Sequence, residues 1–138
     1  PDPTPVTPAR GRIDLGSPDA APLFCGGWSA PDGATGTPVR WVEGYLGLLA
    51  LALDRERGAR LDLGLVPASD HPARTLHVMV DGTDVATIAV PADAASVRVT
   101  VPTRAIRYPV SHVFLWFADW NPGDGLRRPA AIASITVE

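Results

Sequence analysis

Proline and glycine recur so often along this chain that few stretches are long enough to form a helix. The sequence of 138 residues contains 15 prolines and 13 glycines. Proline lacks the amide donor that a helix interior needs, and both residue types favour turns. Between these turns lie short segments in which apolar and polar residues alternate, as expected for strands with one face on a core. The chain is therefore predicted to be all-β.

Two segments show this alternation most clearly. In RLDLGLV, Leu61, Leu63 and Leu65 fall on one face of a strand. The segment TLHVMVDGTDVATIAV alternates in the same way around Asp81 and Gly82, a dipeptide typical of hairpin turns. About nine such segments, with no crossover helices between them, predict an antiparallel two-sheet β-sandwich of jelly-roll-like type.

The longest apolar run and the proline-rich start bear on how the chain is organised. Residues 45–53 are interpreted as a buried strand, and the run is shorter than the ~20 residues that span a bilayer. The opening PDPTPVTP favours extended polyproline geometry, so residues 1–9 are predicted to be a spacer, and the chain is predicted to be a fragment of a longer polypeptide. Residues 10–138 are predicted to form a single β-sandwich domain.

Charge and cysteine content limit the partners. The net charge is -3, which gives no broad positive field for phosphate backbones, so nucleic acid is not an expected partner. The one cysteine, Cys25, excludes an intrachain disulfide. It follows Leu23 and Phe24, and this apolar context predicts a small buried side chain rather than a reactive thiol.

Catalytic patterns are scarce. No G-x-S-x-G elbow occurs, and the consecutive residues 69–71 (Ser, Asp, His) are interpreted as a turn because neighbours on one loop do not adopt triad geometry. A small glycoside hydrolase would need Glu43 opposite a carboxylate such as Asp119 or Asp124. Nothing in the sequence favours that pairing, and no cofactor is expected.

Three of the four tryptophans lie in turn-rich sequence. Trp28, Trp41 and Trp120 each stand close to Gly, Pro or an acidic residue, whereas Trp116 lies within HVFLWF and is predicted to be a core residue. Flat aromatic rings stack on the C–H faces of sugars while nearby polar groups bind the hydroxyls. The polar residues close to these rings in the sequence are Arg40, Glu43, Asp119, Asn121 and Asp124. The alternative for Trp28 and Trp41 is that they plug the core beneath loops.

The loop D-W-N-P-G-D-G carries oxygen ligands at Asp119, Asn121 and Asp124. Its spacing is similar to the start of a calcium loop, but the downstream bidentate Glu is missing. A turn stabilised by Asx side chains is therefore preferred, with a bound calcium ion as the alternative.

Three short motifs carry a resemblance. They are GWSAPD at residues 27–32, RW followed by Gly44 at residues 40–44, and VMVDG at residues 78–82. In this order they resemble the extracytoplasmic β-sandwich domains appended to bacterial polytopic membrane glycosyltransferases and related envelope-polysaccharide proteins. The segment 124–129 departs from that pattern, so no role is carried over to its arginines.

The resemblance implies an accessory domain similar to a carbohydrate-binding module, outside the cytoplasm, tethered through its parent membrane chain and without catalysis of its own. The leading hypothesis is that the domain binds or positions a cell-envelope glycan. The predicted stacking platforms are Trp28, Trp41 and Trp120, and the predicted polar contacts are Glu43, Asp119, Asn121 and Asp124. The alternative is a structural or protein-interaction module that packs on the parent membrane domain.

Overall fold

The alternating segments form strands in the computed structural model of the chain, which describes residues 10–17, 24–29, 32–33, 38–42, 46–67, 75–117 and 130–138. These residues include ten strands and one short 3-10 helix, Thr103–Ala105. In the described part, no helix is long and apolar enough to cross a membrane. The strands are β1 (Gly11–Asp14), β2 (Phe24–Gly26), β3 (Arg40–Trp41), β4 (Leu46–Leu51), β5 (Ala59–Pro67), β6 (Thr75–Val80), β7 (Thr83–Ala89), β8 (Ala95–Val101), β9 (Ser111–Trp116) and β10 (Ala130–Val137).

The first sheet contains β1, β3, β5, β8 and β10, all paired antiparallel. β10 pairs with β5 along its whole length, so β5 occupies one edge of β10. Its other edge is therefore divided between β3, which pairs with Ala131 and Ile132, and β1, which pairs with residues 134–137. β8 extends the sheet beyond β5.

The second sheet has the antiparallel order β2-β4-β9-β6-β7. β6 and β7 form the predicted hairpin, and its turn residues Asp81 and Gly82 have φ of 49° and 87°. Both values lie in the left-handed region, which glycine and aspartate tolerate better than most residues. The Asp-Gly dipeptide therefore sets this turn as the sequence predicts.

The core lies between the two sheets and follows the predicted alternation. Leu61, Leu63 and Leu65 of β5 and Leu76, Val78 and Val80 of β6 are all 0% exposed. Burial of one such side chain contributes about 1.5–3 kcal/mol. Among the described residues, the buried polar side chains are Ser29 and Ser111.

The predicted all-β, jelly-roll-like sandwich is confirmed, and the interpretation of residues 45–53 as a strand is confirmed by β4. The prediction that Cys25 is buried is wrong, because its side chain is exposed. Phe24 packs against the core opposite Leu49, so the alternation along β2 sends the next side chain, that of Cys25, outward. The predicted spacer, residues 1–9, lies outside the described residues, and the single-domain boundary stays a prediction.

The sandwich has two ends. At one end, connection 52–58 joins β4 to β5, connection 102–110 joins β8 to β9, and the β6–β7 turn lies beside them. The other end, called the loop end below, is where β3 leads into β4, β5 into β6, and β9 into β10.

Candidate functional site

Trp28 plugs the edge of the core. Its ring is half-buried and packs edge to face on Phe24, with ring centroids 5.2 Å apart and planes at 68°. Its Nε1–H donates to the Leu48 carbonyl over 3.0 Å. Gly47 makes room for the ring, since a Cβ there would lie 2.8 Å from the indole. Trp28 therefore packs as the core-plug alternative describes, and its role as a stacking platform stays a prediction.

Trp41 is held by polar contacts near the loop end. Its Nε1–H donates to Asp32 Oδ2 over 3.1 Å, and its backbone N–H donates to Ser29 Oγ over 3.0 Å. It pairs with Ala131 of β10 and is half-buried. The indole N–H of Trp41 is thus engaged within the protein, which leaves the ring faces as the part that a ligand would contact.

Arg40 connects the two sheets of the sandwich. Its guanidinium carbon lies 4.2 Å from the centroid of the Phe24 ring, so it links β3 of the first sheet to β2 of the second. Nε donates to the Leu15 carbonyl over 2.9 Å, and Nη1 donates to the Ser29 carbonyl over 3.2 Å. These contacts give Arg40 a structural role, and its role as a hydroxyl-binding group stays a prediction.

The other predicted site residues are Glu43, Asp119, Trp120, Asn121 and Asp124, and they lie outside the described residues. Their described neighbours do come together, because Val42 N–H donates to the Ala130 carbonyl over 3.0 Å. The sugar contacts, the calcium alternative and the hydrolase carboxylates at these positions therefore stay predictions. Within the described part of the chain, no three His, Cys, Asp or Glu residues group as a metal site.

A second group of candidate residues crosses the outward side of the second sheet. The register places Leu46, Trp116, His77 and Thr87 in one row over β4, β9, β6 and β7. The rings of His77 and Trp116 have centroids 5.3 Å apart and planes at 41°. His77 Nδ1 and Thr87 Oγ1 are 3.2 Å apart and share a hydrogen bond. The row runs from an aliphatic side chain through two rings to an exposed hydroxyl.

The neighbouring row also begins with apolar side chains and ends with a polar one. Leu48, Phe114, Met79 and Asp84 follow one another across the same four strands. The first three are half-buried and Asp84 is exposed. The two rows together, called the aromatic face below, form a partly accessible apolar surface with a carboxylate and a hydroxyl on its β7 side.

The sequence interpretation missed this surface because it assigned Trp116 to the core. Val113, Leu115 and Phe117 are the inward residues of this segment, with exposures of 1%, 0% and 0%. Strict alternation then sends Phe114 and Trp116 outward. His77 and His112 also lie on the outer side, at positions that the same alternation sends outward, so the signal was present in the sequence.

No protein-family model matches this sequence, and no curated protein matches it. Among solved structures, the fold is similar to a family 35 carbohydrate binding module from an environmental isolate, with a TM-score of 0.59 and 16% identity. That match covers 92% of this chain and 91% of the module.

Two further structures extend the likeness. An exo-β-1,3-galactanase from Phanerochaete chrysosporium matches with a TM-score of 0.57 and 14% identity, over 94% of this chain but 29% of the galactanase. This chain therefore spans less than a third of that enzyme. A family 29 carbohydrate binding module matches with a TM-score of 0.50 and 14% identity, over 83% of this chain and 80% of the module. At these identities the comparisons show a shared fold.

Proposed function

We propose that this chain is a non-catalytic carbohydrate-binding domain that holds a glycan against the aromatic face. One observation carries the proposal. Trp116 and His77 stand ring beside ring on the outward side of a sheet, next to Phe114 and Met79. A solvated sheet face ordinarily carries polar residues at such positions, and grouped aromatic residues there mark a surface that a partner covers.

The chemistry of the aromatic face suits a sugar. A pyranose ring presents C–H groups on its faces, which pack against indole and imidazole rings, and hydroxyls on its rim, which need hydrogen-bond partners. Asp84 and Thr87 are exposed at the β7 side of the two rows and supply a carboxylate and a hydroxyl there. A glycan lying across the strands would stack over the rings and reach these groups with its hydroxyls.

The fold supports a binding domain over an enzyme. The family 35 and family 29 modules, which are named for carbohydrate binding, correspond to this chain over most of their own lengths. In the galactanase, by contrast, the matching region is under a third of the protein. An accessory domain beside a catalytic one accounts for both kinds of match.

We extend the proposal to the parent and the ligand that the sequence motifs imply. The order of GWSAPD, RW with Gly44, and VMVDG supports a place in a bacterial cell-envelope glycosyltransferase. On this proposal the domain lies outside the cytoplasm, where it positions an envelope polysaccharide for its parent. Stronger binding to soluble envelope polysaccharides than to cellohexaose or mannan would support the extension, and the reverse preference would contradict it.

The central test removes the indole of the aromatic face. Trp116→Ala is expected to weaken binding of the best envelope polysaccharide by roughly tenfold, because a stacked ring contributes about 1–2 kcal/mol. Binding is measured by isothermal titration. Tyr108→Ala is the matched control, since it removes an exposed ring from the opposite end of β9 and is expected to leave the affinity unchanged.

The outcomes separate the two candidate surfaces. If Trp116→Ala binds like the unmodified protein while Trp120→Ala does not, the site lies at the loop end as the sequence predicts, and the aromatic face is not the platform. If no glycan binds and Trp116→Ala instead disrupts the packing of this domain on the parent membrane domain, the domain is a protein-interaction module. The aliphatic residues Leu46 and Leu48, which begin the two rows, are the observation that favours this second candidate.

A further inference from the structure

Two connections cross the end opposite the loop end side by side. Connection 52–58 and connection 102–110 both pass from one sheet to the other, and they are neighbours because β4 pairs with β9 and β5 with β8. They also lie against each other, since a Cβ at Gly58 would lie 3.5 Å from Thr103 N and 3.7 Å from Thr103 Cγ2. Together with the β6–β7 turn they make one continuous surface.

Half of the twelve arginines in this chain lie at this surface, which is called the arginine end below. They are Arg10, Arg55, Arg57, Arg60, Arg104 and Arg107, and all six are exposed. The acidic residues at this end are Asp54, Glu56, Asp81 and Glu138. Among the described residues, six positive against four negative charges give this end a positive balance, although the whole chain has a net charge of -3.

The carboxylate of Asp54 accepts hydrogen bonds within its own connection. Its Oδ1 accepts the backbone N–H groups of Glu56 and Arg57 over 2.9 and 3.1 Å. Oδ2 lies 3.4 Å from a guanidinium nitrogen of Arg10. The two backbone hydrogen bonds are the main reason that the pKa of Asp54 is lowered. Its charge therefore holds the connection in shape and presents Arg55 and Arg57 to solvent.

Asp81 has the same role for the second connection. Its Oδ2 accepts Arg107 N–H over 3.0 Å and Ser111 Oγ–H over 2.9 Å, and Oδ1 accepts His112 N–H over 2.9 Å. The segment pinned at these points carries Tyr108 and Val110. Among the described residues, these two are the exposed large apolar side chains, at 55% and 41%.

A depression lies at the first-sheet side of the arginine end, where β5, β8 and the end of β10 meet. Its volume is about 380 Å³, and Arg10, Arg57, Arg60 and Thr100 contribute to its wall. Glu138 also lines it. Guanidinium groups around a cavity of this size favour an anionic group such as a phosphate.

We propose that the arginine end docks on an anionic lipid bilayer. Tyr108 and Val110 insert at the level of the headgroups, the exposed arginines contact lipid phosphates, and the depression receives one headgroup. Aromatic and aliphatic side chains flanked by basic residues form the usual interfacial contact, because the apolar parts leave water while the charges stay at the anionic surface. This inference is independent of the glycan proposal.

The observations favour a bilayer over an acidic polysaccharide. An acidic polysaccharide would bind the arginines and stack on a ring such as Tyr108, but Val110 has no flat face against which a sugar can stack. A bilayer uses both apolar side chains and the arginines together. Asp81 fixes the segment that carries both apolar side chains and Arg107, which is the arrangement that a docking loop needs.

The test is co-sedimentation of the 138-residue chain with vesicles. Binding is expected for vesicles of phosphatidylcholine with phosphatidylglycerol, and little for phosphatidylcholine alone. Arg104→Gln with Arg107→Gln is expected to lower the partition coefficient roughly 10- to 30-fold. Tyr108→Ser with Val110→Ser is expected to lower the partition coefficient by roughly tenfold, because the apolar side chains that enter the bilayer are lost. Both side chains are already exposed, so their loss leaves the fold intact.

The matched control is Arg12→Gln with Arg98→Gln, which removes the same charge from the outward side of the first sheet. This variant is expected to bind vesicles like the unmodified protein, and all three variants are expected to keep their glycan affinity. Equal binding to neutral and anionic vesicles would overturn the proposal. The proposal would also be overturned if the Tyr108→Ser, Val110→Ser variant bound vesicles normally while heparin competed for the arginines. An acidic polymer would then be the ligand.

Discussion

The two sheets of this sandwich share one core but differ on their outer sides. The first sheet carries a polar row, in which Arg12, Thr136, Asp62 and Arg98 follow one another across β1, β10, β5 and β8. Arg98 Nε donates to Asp62 Oδ1 over 3.0 Å. The second sheet carries at comparable positions the row of Leu46, Trp116, His77 and Thr87.

On the proposed function, this difference separates the binding side of the sandwich from the side that only faces solvent. Folding needs one apolar side per sheet, and both sheets satisfy that need with the inward residues of β5, β6 and β9. A polar outer side, such as that of the first sheet, is what solvent exposure alone favours. The aromatic face has no such explanation within the fold, so its side chains point to a partner. Three changes test this separation of stability from binding.

The largest effect on stability is expected for an inward residue next to Trp116. Leu115 is 0% exposed, and Leu115→Ala is expected to lower the free energy of unfolding by about 2–5 kcal/mol because it leaves a cavity. Urea unfolding followed by tryptophan fluorescence measures the change. Trp116→Ala is expected to cost less, since its side chain is half-buried. A greater loss from Trp116→Ala would show that the aromatic face serves folding instead of binding.

A smaller effect is expected on the polar side. The side chain of Arg98 is 57% exposed, and its ion pair with Asp62 raises the arginine pKa mainly through their hydrogen bond. Because exposed ion pairs contribute little in water, Arg98→Gln is expected to leave the urea midpoint and glycan affinity unchanged. Parallel urea and calorimetric titrations check both. A loss of glycan affinity would place the ligand on the first sheet and remove the contrast between the sides.

The smallest effect concerns acid stability at the arginine end. The pKa of Asp54 is lowered in the folded protein, mainly by hydrogen bonds from the Glu56 and Arg57 amides, from an ordinary value of 3.8. A lowered carboxyl pKa stabilises the fold above that ordinary value and loses this contribution as the pH falls through the folded pKa. Asp54→Asn is therefore expected to show a flatter urea midpoint between about pH 5 and pH 2. Identical pH profiles would contradict this role.

Local patterns predicted much of the fold. The alternation in β5 and β6 and the Asp-Gly turn depend on neighbouring residues, and the structure confirms them. The prediction for Cys25 is wrong because an apolar run does not show which of its members packs on the core, and here Phe24 does, which turns Cys25 outward. The pairing of β10 with β1, β3 and β5 joins distant segments and could not be read from short patterns.

The candidate site was harder to predict than the fold. Arg40 and Trp28 were chosen for their proximity to turns, but the contacts of Arg40 with Phe24 and of Trp28 with Gly47 are tertiary and hold the sandwich together. Trp116 and His77 were not linked because they are 39 positions apart and meet only when β9 pairs with β6. Alternation along a strand predicts the side of the sheet on which a residue lies. Only the pairing of the strands shows which residues are its neighbours across the sheet.

The position of β10 bears on how the chain folds as it leaves the ribosome. The last strand of the described chain lies between β1 and β5, two of the earlier ones. The described strands of the second sheet have all emerged once β9 has, whereas β1 and β3 of the first sheet pair with β10, which emerges last. During synthesis, the aromatic face is therefore complete before its polar counterpart, and a nascent chain halted before β10 would display this surface on an unfinished sandwich.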